Sequence, residues 1–104
     1  MNIESFAAAL SGIGFPVAFQ SFRETPNNPK ITYTSLGEKE IWADNGPAFS
    51  FSRIELKLFT TIKDVPSEQR VESFLRSIDA AWKKDEAGNS PDADSYMVKY
   101  TLEV

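Results

Sequence analysis

The residues of this chain best equipped for chemistry are four carboxylates close together near its C-terminal end, Asp85, Glu86, Asp92 and Asp94. Carboxylates at short spacing can share a proton or ligate a hard cation. An EF-hand loop, however, needs a glycine at the turn and a terminal bidentate Glu at fixed positions, and this spacing supplies neither. A solvated acidic loop is the reading that fits. Histidine and cysteine are absent altogether, which removes the commonest general base, the commonest metal ligands and any thiol nucleophile. Ser-His and Cys-His nucleophile pairs cannot be assembled. An enzyme built on the acidic loop is therefore the least favoured function, and no catalytic residue, cofactor or metal set is expected.

Two further patterns imitate binding motifs. Gly12-Ile13-Gly14 resembles a fragment of a phosphate-cradling loop, but it follows a helical stretch instead of joining a strand to a helix N-terminus, so helix termination explains it better. The aromatics Phe15, Phe19, Phe22, Phe49 and Phe51 could stack bases, yet only Arg23, Lys30 and Arg53 lie near them. Core and subunit interface are the better uses for those rings. With fifteen acidic and eleven basic residues, a net charge of −4 and no basic cluster, the footprint of a nucleic-acid binder is missing. Trp42 reads equally as a cover over a sheet edge or as an interface anchor.

The elements that would carry these residues can be read from periodicity. After Asn2, a suitable N-cap, the residues Ile3, Phe6, Ala7, Leu10 and Ile13 recur at helical spacing, and Gly12 or Gly14 stops the helix. Phe15, Val17 and Phe19 then alternate as a strand. Thr25-Pro26-Asn27-Asn28-Pro29 is rich in turn formers, and Ile31 and Tyr33 alternate beyond it, which predicts a β-hairpin with a long loop. From Gly37 to Pro47 the charges and turn residues predict a short strand or irregular loop. Phe49 to Thr60 is the longest strand. Phe49 and Phe51 sit at odd positions but Ile54, Leu56 and Leu58 at even ones, so a bulge near Ser52-Arg53, or a strand leaving the sheet, must accommodate the slip. Pro66, Ser67 and Glu68 open a second helix whose stripe is Val71, Phe74, Leu75, Ile78, Ala81 and Trp82, with Lys83 and Lys84 at its C-terminal end. Asp85 to Asp94 reads as an exposed loop, and Tyr96 to Val104 as a final, cleanly alternating strand.

The chain thus predicts one α+β domain over residues 1–104, in the order α-β-β-(β)-β-α-β. Its mainly antiparallel sheet has about four strands, with two helices packed on one face. The start, Met1-Asn2-Ile3-Glu4, has neither a basic n-region nor a following apolar run, which predicts no signal peptide, no membrane span and a cytoplasmic location.

The order of short motifs Phe15-Pro16-Val17-Ala18-Phe19, Pro26 to Tyr33, Trp42-Ala43-Asp44-Asn45 and Ile54-Glu55-Leu56-Lys57-Leu58-Phe59-Thr60 resembles a family of short tail-component and head–tail joining (tail completion) proteins of tailed phages and prophages of Gram-positive bacteria. The resemblance spans nearly the whole chain. It departs at Phe59, where Tyr is frequent, and in the polar stretch Asp85 to Asp94. It implies a structural virion subunit without enzymatic activity, contacting copies of itself in a ring as well as tail tube or connector proteins. Such a subunit would be present in the host bacterial cytoplasm during assembly and then in the tail or head–tail junction. Trp42, Phe49, Phe51, Arg23 and Lys30 are the expected interface residues, with the loops Arg23 to Lys30 and Asp85 to Asp94 clasping a neighbour. The alternative is a small bacterial or prophage adaptor or regulator of the same fold with a different partner.

Overall fold

The computed structural model describes residues 1–24, 26–43, 46–89 and 95–104, with the backbone alone at 42, 43, 47–49 and 86. Helix α1 (Ile3–Leu10) begins where the Asn2 side chain accepts a hydrogen bond from the Ser5 amide at 2.7 Å. It tightens into a 3-10 turn over Ser11–Ile13 and ends at Gly14, whose φ of +94° favours glycine. The Arg70 guanidinium lies where a Cβ on Gly14 would point and covers the Phe15 ring at 4.9 Å; that side chain can swing aside, so the positive φ is what calls for glycine. Strands β1 (Val17–Phe19), β2 (Lys30–Ala43) and β3 (Gly46–Thr60) follow, then helix α2 (Val65–Ser77) and strands β4 (Ala81–Asn89) and β5 (Tyr96–Glu103). Asp64 caps α2, accepting from the Ser67 amide at 3.1 Å and from its hydroxyl at 2.8 Å, and Pro66 occupies the first turn.

Among the described residues the strands form one five-stranded sheet in the order β1-β2-β3-β5-β4. Every pairing is antiparallel except β1 with β2. Alternation assigns one face to the core. Ile31, then Ile54, Leu56 and Leu58, then Val98, Tyr100 and Leu102 are buried there against Phe6, Leu10 and Ile13 of the first helical segment and Val71 and Leu75 of α2. The Phe6 ring meets Tyr33 and Phe74 edge-on at 5.8 and 5.9 Å, which ties both helices to the same face of the sheet. The opposite, outer face carries Arg53, Glu55, Lys57, Lys99 and Glu103.

The α+β class, the two helices on one face and the mainly antiparallel sheet agree with the sequence reading, but four features differ. Phe15 to Tyr33 is not a hairpin: β1 runs parallel to β2, pairing Val17 with Ile31 and Phe19 with Tyr33. The segment from Gly37 is neither a short strand nor a loop but the second half of β2, paired with β3 out to Ala43 opposite Gly46. The second helix stops at Ser77, and Ala81, Trp82, Lys83, Lys84 and Asp85 belong to strand β4 rather than to a helix end and a loop. Asp79 makes that break, with a φ of +55° and its amide bonded to the Arg76 carbonyl at 3.1 Å. The order is therefore α-β-β-β-α-β-β, with five strands among the described residues. Asp92 and Asp94 lie outside the described residues.

The expected phase slip is also relocated. All even residues of β3 from Ser52 to Thr60 are buried, so β3 keeps its alternation through Ser52-Arg53. The extra residue lies across from it in β2, where the register jumps from Ser35 opposite Ile54 to Gly37 opposite Arg53, leaving Leu36 as the bulge. Gly37 takes a φ of +100° with open space around it, so a side chain there would be strained by the backbone alone.

Two stability outcomes follow from this packing. Leu75→Ala, emptying a fully buried position under the sheet, should cost about 2–5 kcal/mol in urea denaturation, and a loss below about 1 kcal/mol would contradict the packing. Gly37→Ala should lower stability by about 1 kcal/mol or more, because alanine must be held at positive φ, whereas Gly12→Ala, with no φ constraint and no neighbour within 4 Å, serves as the control expected to lose less.

Candidate protein interface

The length of the β2–β3 hairpin creates the main surface feature. Strand β5 accompanies β3 only from Thr60 to Arg53, and the last backbone bonds on that side join Ser52 to Val104 at 2.8 and 3.0 Å. On the other side β1 accompanies β2 only over Ile31 to Tyr33. Beyond the Leu36 bulge, residues 37–43 and 46–51 form a two-stranded arm flanked by no third strand among the described residues. Its base is fastened by the Ser52 hydroxyl, which donates to the Met1 carbonyl at 2.7 Å. The molecule is correspondingly long, 51 × 24 × 24 Å.

Past the bulge the facing of β2 inverts. Gly37 pairs with Arg53, Lys39 with Phe51 and Ile41 with Phe49, all at outer-face positions, while Glu38 and Glu40 pair with Ser52 and Ser50 on the helix side. Ile41 is 44% exposed and the bulged Leu36 43%. Phe51 is half-buried. The arm therefore gathers three of the five residues expected at an interface, Trp42, Phe49 and Phe51, although the side chains of Trp42 and Phe49 lie outside the described residues. Arg23 and Lys30 are not brought to it. Arg23 is exposed in the β1–β2 connection, and Lys30 sits at the opposite end of β2 with its ammonium 5.7 Å from the centre of the Phe59 ring. Ile41 and Leu36 were missed in the sequence because their stretch read as a turn.

A second apolar feature lies on the helix side, where Ile3, Glu4, Ala7, Phe19, Tyr33 and Ser35 line a shallow depression of about 260 Å³. Phe19, 50% exposed, stands edge-on to Tyr33 at 5.4 Å and forms one wall. No protein-family model and no curated protein matches this chain.

The polar groups of the rest of the fold are engaged with one another. Glu68, 3% exposed, receives Lys84 Nζ at 2.7 Å and Lys63 Nζ at 3.2 Å. Lys84 also reaches Glu72 at 3.1 Å, and Glu72 accepts a hydrogen bond from the Tyr100 hydroxyl at 2.9 Å. Burial pushes the Glu68 carboxyl upward, but its hydrogen bonds to Lys84 and Lys63 outweigh that and hold it below its ordinary value. Hydrogen bonds to Glu68 raise both Lys63 and Lys84, against a smaller desolvation effect. Burial, aided by Glu72, raises the Tyr100 phenol. All four shifts lead away from neutrality, the reverse of a group prepared for proton transfer at pH 7. What the cluster does is fasten the edge strand β4 to α2.

On the outer face, Glu55 meets Lys57 and Lys99, each at 3.5 Å, and Glu103 meets Lys39 at 3.8 Å and Arg53 at 4.0 Å. Asp85, expected in an acidic loop, accepts a hydrogen bond from the Thr101 hydroxyl and pairs with Lys83 at 3.4 Å. Those contacts, the Thr101 bond foremost, keep its carboxyl below the ordinary range. Among the described residues, no group of three or more His, Cys, Asp or Glu side chains could hold a metal ion, and no helix is long and apolar enough to cross a membrane.

The Glu68 cluster gives a pH dependence with a definite sign. Because the folded-state pKa of Glu68 is lowered, its contribution is complete above the ordinary value of 4.5 and is lost as pH falls through the lowered value. Lys63 and Lys84 are raised, so their contribution is complete below 10.5 and is lost as pH rises beyond it. Glu68→Gln should reduce stability at pH 7 by about 1–3 kcal/mol. Its urea midpoints and those of the parent should converge as the medium is acidified below 4.5. A constant gap down to low pH would show that the charge of Glu68 is not what fastens β4.

Proposed function

We propose that this chain is a structural subunit of a phage tail or head–tail junction, of the tail completion kind, acting through protein–protein contacts and assembling with copies of itself. The observation that carries the reading is the β2–β3 arm. A two-stranded ribbon is marginal in water by itself, and this one exposes Ile41 and Leu36 with no third strand beside it among the described residues. Such a ribbon gains its stability from a surface laid against it. The two edges of the sheet proper are protected by contrast: β1 is three residues long, and β4 carries Lys83 and Lys84 with a register shift between Lys84 and Glu86. Contact is thereby directed to the arm. The identity of the assembly comes from the resemblance of the motif order, and the arm supplies a means of joining subunits.

In this reading the partners are other copies of the chain together with tail tube or connector proteins. The protein acts first in the bacterial host cytoplasm, where virions assemble, and then within the virion. A net charge of −4 suits a wall past which DNA moves without adhering, since carboxylates repel phosphates.

The test is to add the purified protein to tails and capsids made without it and to score joined particles by electron microscopy. The wild-type chain should restore joining, whereas Ile41→Glu and Phe51→Glu, each checked for an unchanged melting transition, should restore little of it. Particles that join equally well without the protein would rule out the proposed role, and full activity of both folded variants would remove the arm from it.

A further inference from the structure

The arm and the depression beside α1 are apolar surfaces of one chain that cannot meet within it. Lys39, Ile41 and Phe51 occupy outer-face positions, as the contact of Lys39 with the outer-face Glu103 shows, whereas the depression opens on the helix side. Their charges are complementary. The arm surface carries one cation, Lys39, between two apolar positions. The depression carries one anion, Glu4, amid Ile3, Ala7, Phe19 and Tyr33, and Glu4 has no ion-pair partner among the described residues. Lys39 holds Glu103 only at 3.8 Å, with both side chains substantially exposed, so exchanging that contact for Glu4 costs little.

We infer that the arm of one copy docks by its outer face in the α1–β1 depression of the next, with Lys39 opposite Glu4, in a head-to-tail contact. This deepens the self-assembly reading above and rests on it. Because two unlike surfaces meet, each copy keeps a depression free for one neighbour and an arm for another. Repetition then yields a ring where the rotation closes and a filament where it does not. Ile41 and Phe51 exchange water for Phe19, Tyr33 and Ala7, and the single ion pair fixes the register.

The contact can be tested by sedimentation velocity on the full chain, with circular dichroism and melting to show that each variant is folded. Wild-type protein should form species larger than a dimer as concentration rises. Ile41→Asp, which disables the arm, and Phe19→Asp, which disables the depression, should each be monomeric alone. Mixed in equal amounts they should form a dimer and nothing larger, because only one intact arm and one intact depression remain between them. Lys39→Glu and Glu4→Lys should each weaken association about tenfold or more, and the double reversal should recover most of the loss.

Assembly of Phe19→Asp equal to wild type, with Ile41→Asp monomeric, would mean an arm-to-arm contact and overturn the docking while leaving self-assembly in place. A mixture that stays monomeric would overturn it equally. A wild-type chain that is monomeric at every concentration, yet restores joining in the electron-microscopy assay, would defeat this contact but not the proposed role. A chain that does neither would defeat both.

Discussion

Strand β3 is paired on both sides for only part of its length, and the rest of the molecule is arranged around that mismatch. Where β5 accompanies it, from Arg53 to Thr60, the even residues Ile54, Leu56 and Leu58 are buried beneath the helices and the strand lies in the middle of the sheet. Where β5 ends, at the paired backbone bonds between Ser52 and Val104, β3 runs on beside β2 with no third strand flanking the pair among the described residues. The same strand is thus a core element at one end and half of a bare ribbon at the other. The core fixes the position from which the ribbon projects, since Ile54 and Leu56 leave no freedom to slide by one residue without exposing every buried side chain of the strand.

Strand β4 shows the complementary arrangement. It is an edge strand with little apolar content, and Trp82, packed edge-on against Tyr100 at 5.7 Å, is its main hydrophobic attachment. Hydrophobic burial alone gives so polar a strand little reason to stay in place. Lys84 supplies the rest by reaching under α2 to Glu68 and Glu72, with its ammonium also 5.7 Å from the centre of the Tyr100 ring. The desolvation cost of burying Glu68 is more than offset by two cations and a defined set of hydrogen bonds, and leaving out either lysine would expose that cost. The polar cluster is therefore an attachment, and the shifts of its groups away from neutrality are the electrostatic record of it.

What could be read in the sequence were the elements whose burial is one-sided and whose ends are chemically marked. Asn2, and Pro66 with Ser67 and Glu68, announce helix starts, the Val71 and Leu75 stripe announces a buried helix face, and Tyr96 to Val104 alternates without interruption. The failures have equally local causes. The helical pattern of α2 runs on to Trp82, and the residue that breaks it is Asp79, a non-glycine at positive φ with no compositional signal. Strand β4 was hidden because neither of its faces is consistently apolar. The parallel pairing of β1 was hidden because the turn formers of residues 26–29 suit a hairpin as well as they suit the ten-residue connection that places β1 beside β2 in the same direction. Of the interface, the aromatic positions on the arm could be found from the phase slip in β3, but Ile41 and Leu36 could not. Gly37 and the charges after it have the composition of a turn.

Gly37 belongs instead to the device that gives the arm its two faces. Were Leu36 paired with Arg53 instead of bulged, the pairing Ser35 opposite Ile54 would continue as Glu38 opposite Phe51, and Ile41 would fall on the helix side. Glu38 and Glu40 would then share the outer face with Phe51, and Lys39 and Ile41 would stand with Ser50 and Ser52 on the helix side, so Ile41 and Phe51 would be divided between the two surfaces. With the bulge, Ile41 shares a face with Phe51 and Lys39, while Glu38 and Glu40 stand opposite the serines Ser52 and Ser50. One inserted residue separates an apolar surface with a single cation from an acidic one, and it does so at the point where the ribbon leaves the sheet. The inversion also sets the direction of the contact. Before the bulge, odd-numbered positions of β2 such as Tyr33 face the helices and line the depression; after it, odd-numbered positions such as Ile41 face the other way. A strand with unbroken alternation would place Ile41 on the same side of the molecule as Tyr33 and the depression. The bulge places them on opposite sides, and opposite sides are what a head-to-tail assembly requires.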